Sequence, residues 1–174
     1  VKAVAELAIE YKELIIGFDI AGPELNYLPS MYKDSFLKVK NEGINITIHA
    51  GEGDGVHSIK EALDNGAKRI GHGVRIIEDI SVDNKLGPTA DHILQNNIPL
   101  EVCITSNLHT NMYKNPQDHP ISRLHSLGFN ISLNTDNRLM SNTSIDNELN
   151  VAKAAGIENP TSLLKYSASD SFLN

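Results

Sequence analysis

The sequence predicts an α/β fold built on a parallel sheet, and three observations carry that prediction. Five short apolar runs recur: "LIIGFDIAG" (14–22), "INITIHAG" (44–51), "AKRIGHG" (67–73), "PLEVCITS" (99–106) and "NISLNTD" (130–136). They are near-continuous rather than alternating, as expected of strands covered on both faces. Amphipathic stretches separate them without hairpin turns, which favours repeated strand–helix units. Each run also closes on polar or ionisable groups: Asp19; His49 followed by Glu52; His72; Glu101 and Ser106; Asp136 and Asn137.

The helical stretches follow in chain order. Val1–Lys12 sets Val1, Val4, Ala5 and Ala8 on one stripe. "PSMYKDSFLKVKNEG" has Pro29 near its first turn and stops at Gly43, as helix starts and stops favour. "GVHSIKEALDNG" stops at Gly66, and "PTADHILQNN" again begins on a proline. "HPISRLHSLG" stops at Gly128 and "SIDNELNVAKAAG" at Gly156.

Parallel strands bring all five polar ends to one side of the sheet. In a (β/α) barrel that side carries the active site, with residues drawn from several strands. In an open doubly wound sheet, ligands also gather at the carboxyl ends. The strand pattern alone leaves both architectures open.

Composition narrows the function. The 174 residues suffice for one domain with a core. A net charge of −7 disfavours nucleic acid as a partner, since gripping phosphates needs a basic face. No apolar run reaches the roughly 20 residues of a membrane span. The single cysteine, Cys103, cannot form an internal disulfide, so a reducing, cytoplasmic setting is expected. The first residues lack the charged and small-residue regions of a secretory signal. They also lack a starting Met, so the chain reads as part of something longer or as processed.

His49 at a strand end suits a zinc ligand, and Glu52 nearby can exchange protons; a structural histidine is the plainer alternative. His72 lies between Gly71 and Gly73, where the backbone can turn sharply and a ligand can approach; a surface histidine in a tight turn is the alternative. Glu101 sits in an apolar run and needs a partner, either a strand-end histidine such as His72 or an Arg or Lys. His57, His92, His109, His119 and His125 fall in helical or loop contexts and read as surface or capping residues. Nucleotide-binding glycine fingerprints, the GxSxG elbow and the cysteine pair of HxE…PCxxC deaminases are absent. Zinc-assisted hydrolysis by His and Asp ligands with a Glu and a second His remains.

Five stretches together, "GFDIAGPE", "TIHAGEG", "RIGHGVR", "PLEVCITSN" and "SLNTDNRLMSNTS", resemble the adenosine deaminase family in order and approximate spacing. The resemblance implies a TIM (β/α)8 barrel of which this chain supplies about the last five βα units. Residues 1–174 are then the C-terminal part of a single metal-dependent deaminase domain. It implies hydrolysis of the 6-amino group of adenosine or deoxyadenosine, giving inosine or deoxyinosine and ammonia, with one Zn2+ per site. His49 and Asp136 would bind the zinc. Glu52 would deliver a proton to purine N1 as hydroxide adds to C6. His72 would hold and help deprotonate the attacking water, which Asp136 also contacts. Gly22 would let its backbone approach purine N3, and Glu101 would orient His72 from behind.

The sequence departs from the family pattern at three points. The N-terminal H-x-H pair of zinc ligands is absent, and a catalytic zinc ordinarily takes three protein ligands plus water. Weak zinc binding and an inactive isolated chain are therefore expected. Only five of eight strands are found, so the chain is expected to need the N-terminal half of its own barrel; otherwise two sheet edges stay open. Many family members carry Asp-Asp where this chain has Asp136-Asn137. The resemblance places that second residue at purine N7, an acceptor to which the Asn137 amide donates at any pH. Two rival readings are a sister deaminase acting on adenine or another 6-aminopurine nucleoside and a catalytically silent nucleoside-binding barrel. The intact His49, Glu52, His72 and Asp136 set weighs against the silent form.

Overall fold

All five apolar runs form strands in the computed structural model, which describes residues 1–164 and 171–172. They are β1 (Gly17–Ile20), β2 (Asn45–Ala50), β3 (Arg69–His72), β4 (Leu100–Val102) and β5 (Ile131–Leu133). All pair in parallel and in chain order, β1 through β5. The helices are α1 (Lys2–Glu10), α2 (Lys33–Asn41), α3 (Val56–Asp64), α4 (Pro88–Gln95), α5 (Ile104–His109), α6 (Ile121–Ser126), α7 (Arg138–Ser141) and α8 (Ile145–Ala154).

Strand alternation divides the sheet into two chemically different faces. Phe18, Ile46, Ile48, Ile70, Leu100, Val102 and Leu133 join one buried cluster with the helical residues Phe36, Val39, Ile59, Ile93 and Leu124. Burying each such side chain contributes on the order of 1.5–3 kcal/mol. The other face carries a polar row. His49 pairs in register with Gly71, Gly71 with Glu101, and Glu101 with Ser132. Asp19, Thr47 and Arg69 form the row beneath it.

Three local expectations are corrected. The fourth apolar run does not stay extended to Ser106. After Val102 the chain turns at Cys103 and enters α5, where the Asn107 N–H bonds the Cys103 carbonyl. β-branched Ile104 and Thr105 made a six-residue helix look like strand. Pro29 starts a separate 3-10 turn (Pro29–Tyr32), and α2 begins only after it. Of the α1 stripe, Ala5 is buried while Val4 is 57% exposed. Among the described residues, no helix is long and apolar enough to cross a membrane.

Candidate active site

Gly71 decides where the imidazole of His49 can sit. The two face each other across β2 and β3, and a Cβ on Gly71 would lie 2.6 Å from His49 Nδ1. The bare backbone makes room for the ring. His49 Nδ1 is buried with no hydrogen-bond partner, and the nearest carboxylate oxygen, Asp19 Oδ1, is 3.9 Å away. A buried nitrogen without a partner is costly unless something else takes it up.

His72 reaches the same place by breaking the strand pattern. Alternation alone would put it with Ile70 on the apolar face. Instead its φ is +63°, a left-handed conformation uncommon outside glycine and concentrated at functional sites. Its ring centroid lies 4.9 Å from that of His49, edge to face. Burial, then the neighbouring His49, pulls its pKa down to about 4, with Asp136 opposing. At neutral pH the ring is uncharged and able to accept a proton.

Asp136 also has a left-handed backbone, with φ +53°. Its Oδ2 accepts a 2.7 Å hydrogen bond from Ser106 Oγ at the start of α5. Ligand atoms of His49, His72 and Asp136 all lie within 4.8 Å of one another. Two imidazoles and a carboxylate, with one buried ring nitrogen unpartnered, fit a divalent metal such as zinc.

Glu52 follows β2 in a loop clamped from behind by Glu24. The buried Glu24 carboxylate accepts the backbone N–H groups of Gly51 and Glu52 at 2.8 Å and of Gly53 and Asp54 at 3.2 Å, plus Ser58 Oγ at 3.1 Å. Glu52 Oε1 lies 3.5 Å from His72 Nδ1 and 2.8 Å from Asn107 Nδ2. Burial raises the Glu52 pKa; the Asn107 hydrogen bond opposes this, while the charges of Asp136 and Glu24 add to it. A carboxyl so placed can act as an acid.

The remaining expected residues fall as follows. Gly22, at φ +130° with nothing within 4 Å of a would-be Cβ, lines a cavity of about 310 Å³ with Ile20, Tyr27, Ile48 and His49. Asn137 accepts the Met140 N–H at 3.1 Å through Oδ1, capping α7 and leaving its Nδ2 hydrogens available to a ligand. Glu101 does not meet His72. It pairs with Arg69 Nε at 3.1 Å, its neighbour on the polar face of the sheet. Burial raises the Glu101 pKa and Arg69 opposes this.

Three further residues join the site beyond those expected. Glu24 stands in the quoted "GPE", but an isolated loop carboxylate has no periodicity to mark it. Asn107 lies on the helix mistaken for strand. His119, expected at the surface, is 3% exposed. Its Nε2 lies 3.2 Å from Asn107 Oδ1, and burial lowers its pKa to about 3. Its flanking "DHP" reads as turn in any sequence, and no local signal separates a buried histidine there from a capping one.

The adenosine deaminase family model matches residues 1–167. The chain belongs to the adenosine deaminase family. Adenosine deaminase 1 of Streptomyces coelicolor is 48% identical over 151 residues, covering 83% of this chain and 38% of that protein. The chain thus spans about two fifths of the length of the curated relatives it matches. Among solved structures, the N6-methyl-AMP deaminase of Arabidopsis thaliana superposes with a TM-score of 0.81 at 24% identity, over 99% of this chain and 50% of that one. An amidohydrolase from Burkholderia ambifaria, solved with bound Zn, gives 0.75 at 18% identity over 97% and 44%. These two share the fold. The five-stranded parallel sheet is part of a (β/α)8 barrel, the architecture that the motifs implied.

Proposed function

We propose that the protein is a zinc-dependent deaminase of adenosine and deoxyadenosine. Residues 1–174 would form the C-terminal part of one barrel domain, working in the cytoplasm with the N-terminal half of that barrel. The observation that carries this reading is the convergence of His49, His72 and Asp136 within 4.8 Å, with Glu52 3.5 Å from His72. His49 and Asp136 would hold the zinc, with further ligands supplied by the rest of the barrel. When bound, the zinc supplies Lewis acidity that makes water a nucleophile near neutral pH.

The chain's own residues divide the proton traffic. Glu52 gives a proton to purine N1 as the water oxygen adds to C6. His72, neutral because it is buried, receives the proton that the water loses. Returning that proton to the 6-amino group releases ammonia, and the C6 hydroxyl proton passes to the Glu52 carboxylate, which leaves the 6-oxo purine and restores the acid. Asp136, held by Ser106, orients the attacking water. The Gly22 backbone and the Asn137 amide take the purine's N3 and N7 edges. Glu101, tied to Arg69, supports the polar row below His49.

The test uses the protein with its complete barrel. Adenosine, deoxyadenosine, adenine and methylthioadenosine are compared by ammonia release, with and without a zinc chelator. Chelator-sensitive turnover of the first two supports the reading; turnover of adenine alone, or none with any purine, overturns it.

A further inference from the structure

His119 has a settled tautomer. Its Nδ1 accepts the backbone N–H of Ile121 at 3.2 Å, and burial keeps the ring neutral at physiological pH. A neutral imidazole has one donor and one acceptor nitrogen, so the proton is on Nε2. That nitrogen lies 3.2 Å from Asn107 Oδ1 and donates to it. Tyr113 packs edge-on against the His119 ring, with centroids 4.9 Å apart.

The donated bond settles the next group. Oδ1 of Asn107 faces His119, so Nδ2 faces the site. It donates to Glu52 Oε1 at 2.8 Å, and His72 Nδ1 lies 3.3 Å away. Asn107 is fully buried, and a flipped amide would set its oxygen against the Glu52 carboxyl and its nitrogen against a donor. One orientation satisfies every partner.

We propose that Asn107, locked by His119, is the positioning residue that aims the Glu52 carboxyl at the substrate. Oε1 is held to the wall as an acceptor, so the acid proton resides on Oε2. That oxygen makes no hydrogen bond among the described residues. A carboxyl with both oxygens free would rotate and spend part of its time with the proton turned away. The relay from Ile121 through His119 and Asn107 prevents this without touching purine or metal. The inference rests on the role proposed for Glu52 in deamination.

The experiment is a double-mutant cycle in the zinc-loaded protein with its complete barrel. Asn107→Ala should lower kcat by roughly 10- to 100-fold, the scale of a misplacement near 1 Å, with KM little changed. In a Glu52→Gln background, the same substitution should add no further loss, because no proton donor remains to be aimed. His119→Leu should behave like Asn107→Ala. His119→Gln, whose amide nitrogen can replace Nε2 as donor, should keep most of the activity.

Unchanged kcat in Asn107→Ala, multiplicative losses in the cycle, or no difference between His119→Leu and His119→Gln would each overturn the proposal. Should His119→Leu fail to fold, the Asn107 cycle decides. Failure of Asn107→Ala to fold would make it a fold determinant and overturn the proposal as well. Full turnover by Glu52→Gln is a different failure, since it would remove the deaminase reading itself.

Discussion

His49 and Gly71 stand opposite each other on β2 and β3, with Nδ1 of the imidazole 2.6 Å from where a Cβ on Gly71 would be. The glycine therefore fixes the ring's place in the site. Gly71→Ala should push the ring aside and weaken zinc binding about tenfold or more, comparable to losing a group that orients a ligand. Competition with a chromophoric chelator measures this, and unchanged affinity would show that the ring has room to spare.

Glu24 holds four consecutive backbone N–H groups and Ser58 Oγ. Glu24→Gln removes the charge and turns an amide donor toward backbone N–H groups that only donate. With charge-assisted bonds worth roughly 1.5–3 kcal/mol each and a buried mismatch added, a loss of about 2–4 kcal/mol is expected. The urea midpoint should fall with an unchanged slope. A shift within error would mean that the loop does not depend on this carboxylate.

Asn137 caps α7 through Oδ1 and offers Nδ2 to a ligand. Asn137→Ala should raise KM for adenosine about 5- to 10-fold, one hydrogen bond's worth, and leave zinc content unchanged. Metal loss in this variant would reassign the residue from the purine to the metal.

Burial depresses the His119 pKa from 6.5 to about 3. Between those values the unfolded chain binds a proton that the folded chain does not, so stability increases with pH across that window. The contribution is fully present above pH 6.5 and is lost progressively as pH falls toward 3. The drop in urea midpoint from pH 7 to pH 5 should be smaller in His119→Gln than in the unsubstituted protein. Equal drops would show that His119 is not the group responsible.

The strands were legible because continuous apolar runs ending in polar groups have few other readings. Their boundaries were less so: Ile104 and Thr105 look extended, and only tertiary packing turns them into the first turn of α5. His49, Glu52, His72 and Asp136 were legible because each terminates or follows a strand on the shared side. Glu101 illustrates the limit. Its need for a partner was evident, but the choice between His72 and Arg69 depends on contacts across the sheet, and the left-handed backbone at His72 turns that ring toward Glu52 instead. Asn107, His119 and Glu24 act through contacts 12 to 55 residues apart in sequence, which no local pattern encodes.

The most direct test of the deaminase assignment is ammonia release from adenosine by the complete barrel, measured before and after Glu52→Gln. The assignment predicts zinc-dependent conversion to inosine that falls at least 100-fold, as loss of a positioned general acid does, while bound zinc stays constant. Turnover undiminished by the substitution, or no turnover by the zinc-loaded protein, would contradict it.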